Sequence, residues 1–221
     1  GSLSVPISNT LTFITGLQHA NLSLRRLSEV HNHPNENLTE NENSDIDPGD
    51  IRIEQLSFGY GNLSRRPLLF NFNAIIPYGQ TTAIVGASGS GKTTLLKLLL
   101  KFYEPSKGDI KIGNESLKFI NARKWREQCG AVLQDGTLFN DTLERNITES
   151  LSNTPTNRRN LRNAAKMSNL MEVVDSLPLG YQTVIGEEGN LLSGGERQRI
   201  LIARAIYKSP DYLFFDEATS S

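Results

Sequence analysis

Hydrophobic positions divide the chain into a periodic N-terminal segment, a polar stretch and a long region of short apolar runs. In residues 9–31 apolar side chains recur at steps of three and four residues, which is the spacing of one helix face. They are Phe13, Leu17, Ala20, Leu24, Leu27 and finally His31. Residues 31–50 contain six acidic residues and no lysine or arginine. We therefore expect an amphipathic helix, followed by a solvated linker that buries no apolar surface.

From Ile51 onward, short apolar runs alternate with longer periodic ones. Alternation from Ile51 to Tyr60 predicts strand structure, and a change of phase near Gln55 indicates a β-bulge. Further strands are predicted at Leu68–Phe72, Thr81–Gly86, Ile110–Ile112, Ala131–Leu133 and Tyr212–Phe215, and helices at Thr93–Phe102 and over residues 141–176. Strands separated by helices predict an α/β fold with a largely parallel sheet.

Composition limits the class of protein only moderately. The 221 residues suffice for one domain, or for one domain with a sizeable appendage, and the formal net charge is −1. This balance gives no indication of nucleic-acid binding. The single cysteine, Cys129, excludes an intramolecular disulfide, and no run of eighteen apolar residues suggests a membrane span.

A glycine-rich turn follows the predicted strand Thr81–Gly86. It reads Gly86-Ala87-Ser88-Gly89-Ser90-Gly91-Lys92-Thr93-Thr94 and fits the phosphate-binding pattern G-x-x-x-x-G-K-[ST]. Glycines let backbone N–H groups surround a phosphate, and the following helix adds its positive end. Lys92 supplies a charge for the β- and γ-phosphates, and the Thr93 hydroxyl can ligate Mg²⁺.

A second anion site is predicted at Leu192-Ser193-Gly194-Gly195-Glu196. Ser193 and Glu196 fit a capping box, and the plain alternative is a well-capped helix. Two glycines in a first helical turn cost roughly 1 kcal/mol each, which favours a ligand that approaches the backbone closely.

The last predicted strand runs directly into two carboxylates. Asp216 and Glu217 follow Tyr212–Phe215, at the strand end where α/β proteins bind ligands. Alone, the pair reads as a solvated strand end. Beside a phosphate loop, Asp216 can hold Mg²⁺ and Glu217 can orient and deprotonate an attacking water.

Over residues 51–221 these motifs together resemble the ATP-binding-cassette (ABC) family, since Leu192–Glu196 matches the signature of that family. The resemblance implies an ATPase that uses ATP and Mg²⁺. It also implies a head-to-tail homodimer in which the phosphate loop of one protomer and Ser193, Gly194, Gly195 and Glu196 of the other enclose each ATP. It further implies a P-loop NTPase fold with a mainly parallel sheet core, an N-terminal antiparallel β part and a helical subdomain over about 136–192.

Three further positions follow from the resemblance. Tyr60 lies where the family stacks an aromatic ring on adenine, and Gln134 where a glutamine senses Mg²⁺ and the γ-phosphate and connects to the transport domain. Glu187-Glu188-Gly189 resembles an exporter loop that touches the membrane domain. Taken alone, Tyr60 reads as core, Gln134 as a surface amide and the acidic turn as solvated.

The N-terminal segment resembles exporters with fused domains, most of all bacterial peptide exporters that carry a peptidase domain. Residues 1–31 then form the cytosolic end of the last transmembrane helix, 32–50 the linker and 51–221 the nucleotide-binding domain, at the cytoplasmic face of the membrane. We expect the domain to be incomplete at its C-terminus, lacking a switch histidine, and poorly active alone.

Two other functions compete with a transport-coupled ATPase. A soluble ABC ATPase without a membrane domain is disfavoured by the helix and linker before residue 51. A non-catalytic ATP-binding module is disfavoured by Glu217. The sequence leaves the transported substrate open, with a peptide or a lipid-like molecule as the leading expectation.

Overall fold

The structure is a computed structural model, which describes residues 4–31, 46–61, 67–148, 156–186 and 192–216. The chain divides into two compact units, residues 1–38 and 39–221.

In the first unit, the described residues form helix α1, over Ser4–His31. It confirms the predicted helix but begins five residues earlier, because Pro6 lies in the first turn, where proline is tolerated. The apolar stripe is exposed within this unit, with Phe13, Leu17, Leu24 and Leu27 all more than half accessible. Among the described residues, no helix has the length and apolar character to cross a membrane.

A four-stranded antiparallel sheet opens the second unit. Its strands are β1 (Ile51–Phe58), β2 (Leu69–Ile76), β3 (Lys107–Ile112) and β4 (Glu115–Ser116), in the order β2-β1-β3-β4. The predicted bulge is confirmed, because the β1–β2 register shifts between Ile53 and Leu56 and Gln55 has φ of 48°. The Gln55 N–H donates to the Asn73 side-chain oxygen at 2.8 Å, so this backbone donor has a partner despite the irregular pairing.

Parallel pairing is restricted to two strands in the described part of the chain. They are β5 (Cys129–Val132) and β8 (Tyr212–Phe215), with Cys129 opposite Tyr212. The predicted strand Thr81–Gly86 is not formed. Its residues have no regular secondary structure, and Val85 is 93% exposed. A strand needs a neighbour for its backbone groups, and no described strand pairs with this segment.

Helix α2 (Lys92–Leu99) confirms the predicted buried helix, with Leu95, Leu96, Leu98 and Leu99 in the core beneath β1 and β3. Helix α3 (Ala122–Glu127) is anchored to it, since the buried Trp125 donates its indole N–H to the Leu99 carbonyl at 2.7 Å. Ile46 also joins this core, and its carbonyl accepts from Gln128. The prediction that residues 31–50 bury no apolar surface is therefore wrong at Ile46.

A second core lies among the helices of residues 138–207. The elements are β6 (Asp141–Thr142), α4 (Leu143–Thr148), α5 (Arg158–Met167), α6 (Met171–Ser176), a 3₁₀ turn (Gly180–Gln182), β7 (Val184–Ile185) and α7 (Gly194–Tyr207). The helix predicted over 141–176 is thus divided. One division is clear, because Asn169 takes a left-handed φ of 53° that ends α5, as asparagine tolerates.

Candidate functional site

The phosphate-loop residues form a tight turn just before α2. Gly89 and Gly91 have φ of 76° and 94°, in the left-handed region that disfavours side chains. A Cβ at Gly91 would lie 3.0 Å from Leu69 Cδ2, and one at Gly86 would lie 2.7 Å from Ser90 Oγ. The left-handed backbone thus requires glycine at Gly91, which the motif specifies, whereas at Gly86 the absence of a side chain leaves room for the Ser90 hydroxyl.

Lys92 closes this loop on itself. Its ammonium donates to the carbonyls of Gly86 at 2.9 Å and Ala87 at 3.0 Å. Gly91 caps α2 without a side-chain hydrogen bond, so no side chain competes for the N–H groups of the first turn, which carries Thr93 and Thr94. The exposed loop therefore presents a lysine and a positive helix end to solvent, as an anion site requires.

Tyr60 lies at one side of the same helix. Its hydroxyl is 3.1 Å from Thr94 Oγ1, and its ring meets Phe58 and Tyr103 edge-on at 5.1 and 5.3 Å. The ring is 47% exposed, so one part remains open for contact with a planar base. The sequence argument overlooked Tyr103, although a second aromatic residue just beyond the predicted helix Thr93–Phe102 was a usable signal.

Asp216 directly follows β8 and is only 5% exposed. Its backbone N–H donates to Val132, while Oδ2 has no hydrogen-bond partner among the described residues. A buried carboxylate oxygen without a partner suits a hard cation such as Mg²⁺. The described part of the chain holds no group of three His, Cys, Asp or Glu residues that could hold a metal ion.

The signature residues begin α7, as the capping box predicted. The Glu196 carboxylate accepts from Ser193 N–H at 2.6 Å and Ser193 Oγ at 2.8 Å, and Glu196 N–H donates to Ser193 Oγ at 3.3 Å. The hydrogen bonds from the Ser193 backbone and hydroxyl lower the pKa of Glu196 below its ordinary value. Ser193 is thus fixed at the helix start.

Among the described residues, no neighbouring atom requires glycine at Gly194 or Gly195. A Cβ at Gly194 would meet nothing within 4 Å, and one at Gly195 only Arg199, at 3.6 Å. Glycine here lowers helix stability without any internal packing reason. The open surface instead lets a ligand or a second molecule approach the backbone.

The structure brings together only part of the predicted site. Lys92, the loop, Thr94 and Tyr60 form one cluster, whereas the hydrogen bonds of Ser193 within the described residues stay in its own helix. Gln134 is exposed, two residues beyond β5. Glu217 and Glu187–Gly189 lie outside the described residues.

The fold and the loop define a P-loop nucleotide-binding domain. Residues 69–220 match the model of the ABC transporter family, described as "ABC transporter". The chain therefore belongs to the ABC transporter family. It contains an ATP-hydrolysing domain of that family, of the exporter type.

Curated relatives agree with this assignment. The chain is 43% identical over 173 residues to the mitochondrial iron-sulfur clusters transporter ATM1 of Chaetomium globosum, covering 78% of this chain and 28% of the relative. It is 44% identical over 173 residues to the ATP-dependent lipid A-core flippase of Alkalilimnicola ehrlichii, covering 78% and 29%. It is 38% identical over 221 residues to the leukotoxin export ATP-binding protein LtxB of Aggregatibacter actinomycetemcomitans, covering 100% and 31%.

A solved structure gives the same result. The structure of a bacterial Atm1-family ABC exporter with ATP bound superimposes with a TM-score of 0.77 at 32% identity. The superposition covers 92% of this chain and 35% of the exporter chain. The chain thus spans about a third of the length of these relatives.

Proposed function

We propose that the protein couples the binding and hydrolysis of Mg-ATP to export of a substrate across a membrane, with this domain at the cytoplasmic face. The observation that carries the proposal is the phosphate loop: left-handed glycines, a lysine on the loop carbonyls and an uncapped helix start. The similarity to exporters supports the coupling to transport.

Each cluster residue then has a defined task. Lys92 leaves the Gly86 and Ala87 carbonyls to neutralise phosphate charge, and the loop N–H groups bind phosphate oxygens. Tyr60 contacts the adenine. Thr93, Gln134 and Asp216 would hold Mg²⁺, which supplies charge neutralisation between phosphate oxygens when bound. Glu217 would orient and deprotonate the water that attacks the γ-phosphate.

Two copies are needed to complete this site. Ser193 is fixed by its capping box, and Gly194 and Gly195 leave the helix start open to an incoming group. A head-to-tail homodimer places that helix start on the γ-phosphate bound by the partner's loop. The fused transmembrane domains would accompany the two copies. We expect no nucleic-acid partner, since the formal net charge of −1 gives no indication of one.

For the substrate, we favour a peptide or a lipid-like molecule. The match to LtxB runs over the whole chain, including α1, and LtxB is named for toxin export. The lipid A-core flippase supports the second class. If the substrate is a peptide, we expect a peptidase domain upstream of this region, as in bacterial peptide exporters.

The test is phosphate release by the full-length protein with Mg-ATP, comparing wild type with Lys92→Ala. Loss of the ammonium should weaken binding of a fluorescent ATP analogue and reduce turnover. Lys97→Ala is the matched control, because Lys97 lies in the last turn of the same helix. Equal binding and turnover in Lys92→Ala and wild type would refute the phosphate-loop assignment.

A further inference from the structure

Two parts of the chain would face different ATP molecules in the proposed dimer. Gln134 follows β5 and serves the ATP of its own protomer, whereas Ser193 begins α7 and serves the partner's ATP. A rigid connection between the segment after β5 and helix α7 would therefore link the two ATP sites. The structure contains such a connection.

The segment that carries Gln134 packs closely along α7 on both sides of that residue. A Cβ at Gly136 would lie 2.7 Å from Leu201 Cδ1. A Cβ at Gly130, in β5, would overlap the Ala205 carbonyl. Gly130 lets the backbones of β5 and α7 approach, and Gly136 leaves room for the Leu201 side chain. Gln134 therefore lies between two points of contact with α7.

Arg204 adds a polar connection at the same place. Its Nε donates to the Asn146 carbonyl at 2.7 Å, and Nη1 donates to the Thr137 carbonyl at 3.0 Å. Its guanidinium also lies over the Phe139 ring, 5.0 Å from the centroid. The Arg204 side chain thus contacts residues 137–146 at three places: the Thr137 carbonyl, the Phe139 ring and Asn146. A lysine cannot reproduce this planar set of donors.

Asn146 is the partner that makes the connection rigid. It is fully buried, and its Nδ2 donates to the carbonyls of Phe139 at 2.9 Å, Asp141 at 3.3 Å and Thr142 at 3.1 Å. Its Oδ1 accepts from Phe139 N–H at 2.7 Å and Arg204 Nη2 at 3.2 Å. A buried polar network with every group satisfied permits one arrangement and resists others.

Helix α7 carries this connection to the signature. Arg204 is ten residues beyond Gly194, so about 15 Å of continuous helix separates them. A rigid helix moves as a unit, so a shift of the segment around Gln134 displaces Ser193 as well.

We propose that Arg204 and Asn146 are positioning residues that couple the two ATP sites. When Gln134 responds to the nucleotide of its own protomer, the connection through Asn146 and Arg204 moves the start of α7 toward the ATP of the partner. This inference rests on the proposed function, since it requires ATP hydrolysis by a head-to-tail dimer. Neither residue touches ATP, and each acts through α7.

The test uses the full-length protein and the variant Arg204→Lys, which keeps the charge and the aliphatic stem. We expect kcat to fall at least about fivefold, since small misplacements of reacting groups are costly. The Hill coefficient for ATP should fall toward one, while the affinity for a fluorescent ATP analogue stays unchanged. Phe139→Leu removes an exposed ring from the same connection and should act in the same direction, more weakly.

Arg159→Ala is the control, because Arg159 is an exposed arginine on α5, another helix of the second core. It should leave kcat, affinity and the Hill coefficient unchanged. A Hill coefficient that stays at the wild-type value in Arg204→Lys and Phe139→Leu would overturn the inference, even if the melting temperature falls. If wild type and Arg159→Ala bind no ATP and release no phosphate, the proposed function itself fails, and the inference with it.

Discussion

Replacing Gly91 by alanine should weaken nucleotide binding more than the same change at Gly89. Both residues have left-handed φ, at 94° and 76°. An L-residue there costs about 1–2 kcal/mol. Without ATP the loop of a variant relaxes to avoid this strain, so ATP binding must restore it and loses that free energy. At about 1.4 kcal/mol per tenfold, Gly89→Ala should raise the Kd about 5- to 30-fold.

Gly91→Ala carries a second cost that Gly89→Ala lacks. The new Cβ would lie 3.0 Å from Leu69 Cδ2, whereas a Cβ at Gly89 would meet nothing within 4 Å. Leu69 belongs to the core that α2 shares with β1 and β3, so displacing its side chain adds about 1–2 kcal/mol. The total of about 2–4 kcal/mol corresponds to a Kd raised roughly 30- to 1,000-fold.

The assay is titration of the full-length variants with a fluorescent ATP analogue, with melting temperatures to verify folding. Adding Leu69→Ala to Gly91→Ala should remove the contact and return the Kd to that of Gly89→Ala. The reasoning is refuted if a folded Gly89→Ala binds as tightly as wild type, or if Gly91→Ala binds more tightly than Gly89→Ala.

Two other predictions concern residues outside the loop. Burial raises the pKa of the Cys129 thiol to about 12, so the thiol stays neutral at pH 8. A disulfide reagent should label it slowly in native protein and at once in denaturant; fast native labelling would show that this core is open. Glu217→Gln should retain bound ATP while turnover nearly stops, because the base is lost but the phosphate contacts remain; wild-type phosphate release in this variant would remove Glu217 from the mechanism.

Features that depend on neighbouring residues were predictable from the sequence. The bulge at Gln55, the buried helix α2 and the capping box of Ser193 and Glu196 are set by side-chain spacing and local hydrogen bonds. The same holds for the glycines of the phosphate loop, because backbone conformation and a motif of fixed spacing specify them.

Features that depend on distant parts of the chain were not predictable. Thr81–Gly86 has the composition of a strand, yet strand formation needs a paired neighbour, and no described strand supplies one. The contact between Asn146 and Arg204 joins residues 58 positions apart, which no periodicity reveals. Burial of Ile46 likewise depends on the core it meets, not on its acidic neighbours.

The central claim is that each ATP is held by the loop of one protomer and the signature of the other. Mixing Lys92→Ala protomers with Ser193→Arg protomers tests it directly. In a head-to-tail dimer both changes fall in one site of a mixed pair, and the other site stays intact. Random mixing then restores phosphate release to at most about a quarter of wild type, since half the dimers are mixed and each has one intact site. If the mixture releases no more phosphate than either variant alone, loop and signature do not form a shared site, and the account is contradicted.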